Sequence, residues 1–266
     1  MRNFTRCVLC FAAIVTTGVN AKADKIGVAA AVVNQVQGVS GNNSRALAVG
    51  GDVFAREHIR TSDASTAQLL FLDKTTLSIG PRADLALDSF VYDPNKGVGK
   101  VVINATQGAF RFITGTQNPK NYTIKTPVAT VGIRGSVIDF LITGNRETGY
   151  SLTVIVVECC AIVTLPTGQV INLTTPGMAY NISSNGTVTG PVQWDGTIVN
   201  AAGGMSFPMY GWYVQGEQQP NGLPQQHTGS IDQLNAVIAS QLTTIMSPDH
   251  DFHHHHHHHH HGGGNE

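Results

Sequence analysis

Charged side chains are scarce in this chain: Asp, Glu, Lys and Arg make up only 12% of its 266 residues, about half the usual share. Setting aside the first 23 residues leaves thirteen basic against seventeen acidic side chains, a net charge of about −4 with histidine neutral. That balance provides no basic field for nucleic acid. The surface must instead be covered by Thr, Ser, Asn, Gln and Gly, and such surfaces repel one another weakly, which favours self-association. Cysteine is also rare. There are four, two of them at Cys7 and Cys10 near the start, so the rest of the chain is not a disulfide scaffold. No apolar run reaches the roughly 20 residues that span a bilayer as a helix; Leu152 to Val157 is short and stops at Glu158. Catalytic signatures are missing too. There is no HExxH, no GxSxG, no phosphate loop and no spaced pair of CxxC. Gly97-Val98-Gly99 lacks the third glycine of a dinucleotide loop.

The N-terminus carries a different signal. Arg2 and Arg6 precede an uncharged run of about 13 residues from Cys7 to Val19, and Ala21-Lys22-Ala23 follows. This order predicts a secretory leader over residues 1–23, cleaved near Ala23. The expected location is therefore periplasmic, secreted or at the cell surface, with no membrane span.

Residues 24–192 read as one all-β body, a sandwich or rolled antiparallel sheet of many short strands. β-branched runs recur at roughly ten-residue spacing. They include Val28 to Val33, Ala67 to Leu72, Thr76 to Ile79, Ala83 to Leu87, Lys100 to Ile103, Ala109 to Ile113, Tyr122 to Ile124, Val137 to Ile142 and Leu152 to Val157. Ala161 to Leu165, Val170 to Leu173 and Ala179 to Ile182 close the series. Gly38 to Ser44 reads as a loop, Tyr92 to Gly97 as a long turn, and Pro166-Thr167-Gly168 as a hairpin turn. Cys159 and Cys160 are neighbours in sequence. Their Cα atoms must lie about 3.8 Å apart, shorter than the usual ~4.4–6.8 Å of a disulfide. In a strand the two thiols would face opposite ways, one into the core and one outward; a vicinal bond or a link between subunits are the alternatives.

After residue 192 the composition changes. Residues 193–229 are rich in Gly, Pro and Gln, with Phe207, Tyr210, Trp212 and Tyr213 among them. This is a linker or covering loop, and Trp212 and Tyr213 either cap a core edge or form an adhesive patch. Residues 230–247 predict the one amphipathic helix. Ser230 suits the N-cap and Asp232 the positive end. Ile231, Leu234, Ile238, Leu242 and Ile245 are spaced three or four apart in one stripe, which packs on its own domain or docks on a partner. Residues 248–266 form a tail expected to be disordered, holding His253, His254, His255, His256, His257, His258, His259, His260 and His261. Nine imidazoles without fixed geometry bind Zn, Ni or Cu with poor selectivity. An added purification tag has the same sequence, but the trailing Gly-Gly-Gly-Asn-Glu and the intact leader favour a native run.

The segment Thr126-Pro127-Val128-Ala129-Thr130-Val131-Gly132-Ile133-Arg134-Gly135-Ser136 resembles the FecR-like domain family. Gly50-Gly51-Asp52-Val53, Ile59-Arg60-Thr61, Phe90 to Pro94 and Gly108 to Phe112 are similar to other parts of that family, so the resemblance runs from about Val49 to Ile182. It implies an all-β periplasmic domain of the kind that relays an outer-membrane signal to a sigma factor. No cytoplasmic N-terminal region and no span are expected here, a departure from that plan, and the chain resembles the stand-alone exported members. It also has Glu158-Cys159-Cys160 where the family often has Glu-Gly. Within the segment, Pro127 belongs at an edge or strand start. Gly132 and Gly135 permit close backbone approach or positive φ. Arg134 is a structural pin on backbone carbonyls or on Asp139, or else a ligand anchor.

Function is therefore expected from surfaces rather than reactive groups. His58 follows Glu57 without an identifiable nucleophile, and Asp84, Asp88 and Asp93 read as solvated turn and strand-edge residues rather than a glycosidase pair. The leading expectation is a non-enzymatic exported interaction domain that senses or scaffolds at the envelope by binding protein or glycan, with no required cofactor. A self-assembling surface or matrix subunit, hence a homo-oligomer, and metal capture by the His tail are the alternatives.

Overall fold

A computed structural model describes residues 24–95, 98–135 and 137–194. The expected leader, most of the 193–229 segment, the 230–247 stripe and the His tail lie outside the described residues. So do Trp212, Tyr213, Ile231, Leu234, Ile238, Leu242 and the nine tail histidines.

The described residues form seventeen strands in one hydrogen-bonded system. In chain order these are β1 (Lys25–Val33), β2 (Val36–Ser40), β3 (Asn43–Ala46), β4 (Asp52–Phe54), β5 (His58–Thr61), β6 (Thr66–Phe71), β7 (Thr76–Ile79), β8 (Asp84–Asp93) and β9 (Val98–Ile113). β10 (Tyr122–Lys125), β11 (Thr130–Ile133), β12 (Val137–Asn145), β13 (Gly149–Glu158), β14 (Ala161–Thr164), β15 (Val170–Leu173), β16 (Met178–Ser183) and β17 (Val188–Gln193) follow. The pairings sort them into two layers. Sheet A runs β4-β1-β6-β7-β9-β12-β13-β16-β17. Sheet B runs β3-β2-β5-β8-β9-β10-β11-β14-β15.

β9 belongs to both sheets. Its first part pairs with β8 and β10, and residues from Gly108 onward pair with β7 and β12. Gly108 marks the change of layer. Its φ is +107°, and a Cβ there would lie 2.5 Å from the Ala83 Cβ and 2.7 Å from its Cα, so only glycine turns this corner without strain. Beyond β9, hairpins alternate between layers: β10–β11 in B, β12–β13 in A, β14–β15 in B, β16–β17 in A. The described body is thus nearly all strand, as expected, in one open system of many strands joined through β9.

The core lies between the layers. Phe112 is fully buried and meets Tyr122 edge to face, with centroids 5.4 Å apart. Phe71, Phe140, Leu69, Ile103 and Ile133 surround them in the same cluster. Each such side chain contributes roughly 1.5–3 kcal/mol by leaving water.

Three expectations need correction. Gly38 to Ser44 is not a loop; it is mostly the β2–β3 hairpin, with Gly41 at φ +57° and Ser40 opposite Asn43. Lys100 to Ile103 and Ala109 to Ile113 are one strand, because the glycine at 108 bends β9 without ending it. The sheets are antiparallel except for β10, which runs parallel to β9; the short 3-10 turn Pro119–Asn121 returns the chain alongside rather than against it.

Candidate interaction site

The 126–136 segment is a corner. Thr126 Oγ1 accepts from the Ala129 amide at 3.1 Å and donates to the Ala129 carbonyl at 2.8 Å, closing the β10–β11 turn that holds Pro127. β11 ends at Ile133, and the chain then crosses from sheet B to sheet A. A second crossing, from β13 to β14, runs beside it at Glu158-Cys159-Cys160. The two crossings are joined by the Arg134 amide donating to the Cys160 carbonyl at 2.9 Å. A Cβ on Gly135 would collide with the Cys160 amide nitrogen and sit 2.7 Å from the Cys159 Cβ and 2.8 Å from the Glu158 carbonyl oxygen. The glycine is thus required by close approach, not by positive φ.

Arg134 is half-buried and donates to its neighbour's carbonyl, Ile133 O, at 2.7 Å. Its guanidinium also lies close to Gly132. The expected alternative partner, Asp139, is taken by another residue: Arg111 forks onto it with contacts of 2.8 and 2.7 Å. These two stand directly opposite each other on β9 and β12, a pairing that only the register creates. Cys159 and Cys160 form a vicinal disulfide. The expected inward–outward split of thiols fails because Cys159 is not in a strand. It sits in the bend after β13 at φ +54°, in the place where a glycine would otherwise turn the chain.

A polar cleft of about 260 Å³ is lined by Tyr92, Asp93, Gly99, Gln117, Asn118 and Asn121 among others. Behind its lining residue Gln117 lies the buried carboxylate of Asp73. That group accepts from the Thr75 amide (3.0 Å) and hydroxyl (2.9 Å), Gln117 Nε2 (2.7 Å) and the Tyr122 phenol (3.0 Å). Burial pushes the Tyr122 phenol well above its usual range, with the Asp73 charge adding to the rise and the Thr75 contact opposing it. Tyr122 therefore stays a neutral donor, and the network fixes the Gln117 side chain at the cleft. Asp73-Lys74-Thr75 has the composition of a plain turn, and nothing local to it announces a partner 44 residues away.

None of these groups is a reactive pair. Glu57 is buried and held by Arg45 (2.9 and 2.9 Å) and the Phe54 amide, so it is not a base beside His58. His58 is exposed and lies 3.6 Å from Asp84, which also pairs with Arg60 at 3.0 Å. Asp88 and Asp93 lie on the exposed or half-exposed end of β8. Among the described residues no group of three or more His, Cys, Asp or Glu could hold a metal ion, and no helix is long and apolar enough to cross a membrane.

Comparison with known proteins gives one family. No curated protein matches the chain. Two crystal structures of a "putative anti-sigma factor" from Parabacteroides distasonis ATCC 8503 align with TM-scores of 0.40 and 0.38. Each is 16% identical over 50% of this chain. The chain spans little more than half (57%) of those structures. Residues 57–159 match the family model described as FecR protein, which covers β5 to β13, the shared strand and the corner at 126–136. The strands outside that range extend both sheets on either side. Residues 57–159 are therefore a FecR domain.

Proposed function

We propose that this chain is a non-enzymatic, exported interaction module that senses or scaffolds at the cell envelope by binding protein or glycan. The FecR match over 57–159 carries the reading. It is supported by the leader-like first 23 residues and by the absence of a nucleophile–base pair among the described residues. The surfaces available to a partner are polar. The outer face of sheet B presents Gln37, His58, Arg60, Asn104 and Lys125, and the Gln117 cleft opens beside Tyr92 and Asp93. Polar surfaces of this kind, with few charges of either sign, suit recognition by shape and hydrogen bonding. Pull-down from envelope extracts with the full chain tests the reading. Recovery of a protein or glycan that Gln117→Ala or Arg60→Ala weakens at least fivefold supports it; no specific partner refutes it.

A second reading is self-assembly. β15 has a single strand neighbour among the described residues, and Val170 on it is exposed. An edge of this kind can template pairing. The outer strand of sheet A, β17, carries Pro191, which removes a donor and discourages pairing there. Light scattering across concentration decides, and a strict monomer removes this option.

A further inference from the structure

The two sheets differ on their outer faces. Sheet B alternates buried and exposed, as in β5 and β11, the pattern of a face open to water. Sheet A does not alternate. β6 and β7 are buried at every position, and β12 is buried through its first four. The inner residues of these strands, such as Leu69, Leu77, Phe112 and Phe140, belong to the core between the layers. Their neighbours Leu70, Thr76, Ser78, Arg111, Ile113, Val137, Asp139 and Ile155 point the other way and are still no more than 4% exposed. No described strand packs over them.

The register shows what this face presents. One row crosses it as Gln68, Ser78, Arg111, Asp139, Ile155 and Ala179. A parallel row holds Val28, Leu70, Thr76, Ile113 and Val137. A polar centre with an ion pair is thus flanked by aliphatic side chains. Gln68 Oε1 and Thr76 Oγ1 are buried there without a hydrogen-bond partner among the described residues. Trp194 belongs to the same face. It packs on Ile155, Ala179 and Val157, and its indole N–H is likewise buried and without a partner among the described residues.

We propose that the outer face of sheet A is the docking surface for the chain's own C-terminal segment, with the stripe of Ile231, Leu234, Ile238, Leu242 and Ile245 as the covering element. Trp194 ends the described chain already seated on this face, its amide tied to the Gly177 carbonyl at 2.9 Å, so the following residues start there. The 35 residues from 195 to 229 are ample to bring the stripe over the sheet. Size agrees as well. Seven strands from β1 to β16 span about 29 Å at ~4.8 Å spacing, and a 17-residue helix is about 25 Å long. Residues 195–247 carry Asp195, Glu217 and Asp232 and no Lys or Arg, so little charge is desolvated when they cover an apolar face. The segment then closes sheet A and leaves sheet B and the cleft for partners.

Thiol protection in the full chain tests this. Ser78→Cys places a reporter on the outer face and Leu69→Cys one on the inner face of the same layer, with maleimide labelling located by peptide mass. Position 78 labels slowly in the otherwise unchanged chain, and at least tenfold faster with Leu234→Asp and Leu242→Asp added, while position 69 stays protected. The control Gln233→Glu, off the stripe, leaves position 78 slow. Protection at 78 that survives the stripe substitutions overturns the proposal, since another segment then covers the face. So does rapid labelling in both forms, or protection that rises with protein concentration, which indicates a second copy. Exposure of 69 together with 78 also counts against it, because a segment docked on a complete sheet leaves the inner core closed when it lifts.

Discussion

Asp139→Asn gives the most direct measure of how dry the outer face of sheet A is. Arg111 and Asp139 form a two-pronged pair with side-chain exposures of 4% and 1%. Removing the carboxylate charge takes from the guanidinium its two-pronged partner in a site with little water, and breaking a pair of this kind costs about 3–5 kcal/mol. In a domain of this size that is a fall in Tm of about 6–20 °C. The same pair on an open face would contribute only ~0–1 kcal/mol, so the two surroundings are separable. Urea denaturation at neutral pH, followed by tryptophan fluorescence and circular dichroism, reads the change as a shift in midpoint at constant slope. Replacing both residues, Arg111→Leu with Asp139→Leu, recovers most of the loss, since neither charge is then buried. A loss below about 1 kcal/mol for Asp139→Asn, with the fold intact, would refute the claim that this face is covered.

Three further outcomes follow from the site. Tyr122 has a folded-state pKa raised above its usual value of about 10, so its contribution to stability is fully present below pH 10 and is lost as pH rises above it; Tyr122→Phe removes that alkaline loss in melts from pH 8 to 11, while lowering neutral stability by about 1–3 kcal/mol through the donor taken from Asp73. Gly135→Ala forces a methyl into the Cys159–Cys160 bend and costs about 1–3 kcal/mol by overpacking, read as a lower urea midpoint; no change would mean that the two crossings are not in contact. Titration with zinc or nickel shows binding by the full chain that is lost in a chain ending at Asp251, and equal binding by both removes metal capture by His253 to His261.

The parts of this protein legible in its sequence are those set by neighbours in the chain. Alternation and β-branching marked most strands, and Pro166-Thr167-Gly168 did form its turn, with the Gly168 amide donating to the Leu165 carbonyl at 2.9 Å. The motif at 126–136 was visible as a family signature and as a set of glycine and proline constraints. Its role as a layer crossing was not, because Gly135 is explained by Cys159 and Cys160, 24 and 25 positions later in the chain. The same holds for Gly38 to Ser44. Small polar residues suit a loop, and only pairing with β5 makes that stretch a strand hairpin.

By itself, then, the sequence determined the sheet-rich class, the scarcity of charge, the FecR segment and the lack of catalytic spacing, all of which depend on residue type and short-range period. Tertiary structure alone decided that β9 serves two sheets, that Asp139 pairs with Arg111 rather than Arg134, and that Asp73 reaches Gln117 and Tyr122. It also decided that the central strands of sheet A are buried on both faces. The physical reason is register: which side chains stand opposite one another across a sheet is fixed by pairings between strands far apart in the chain, and no local period encodes them.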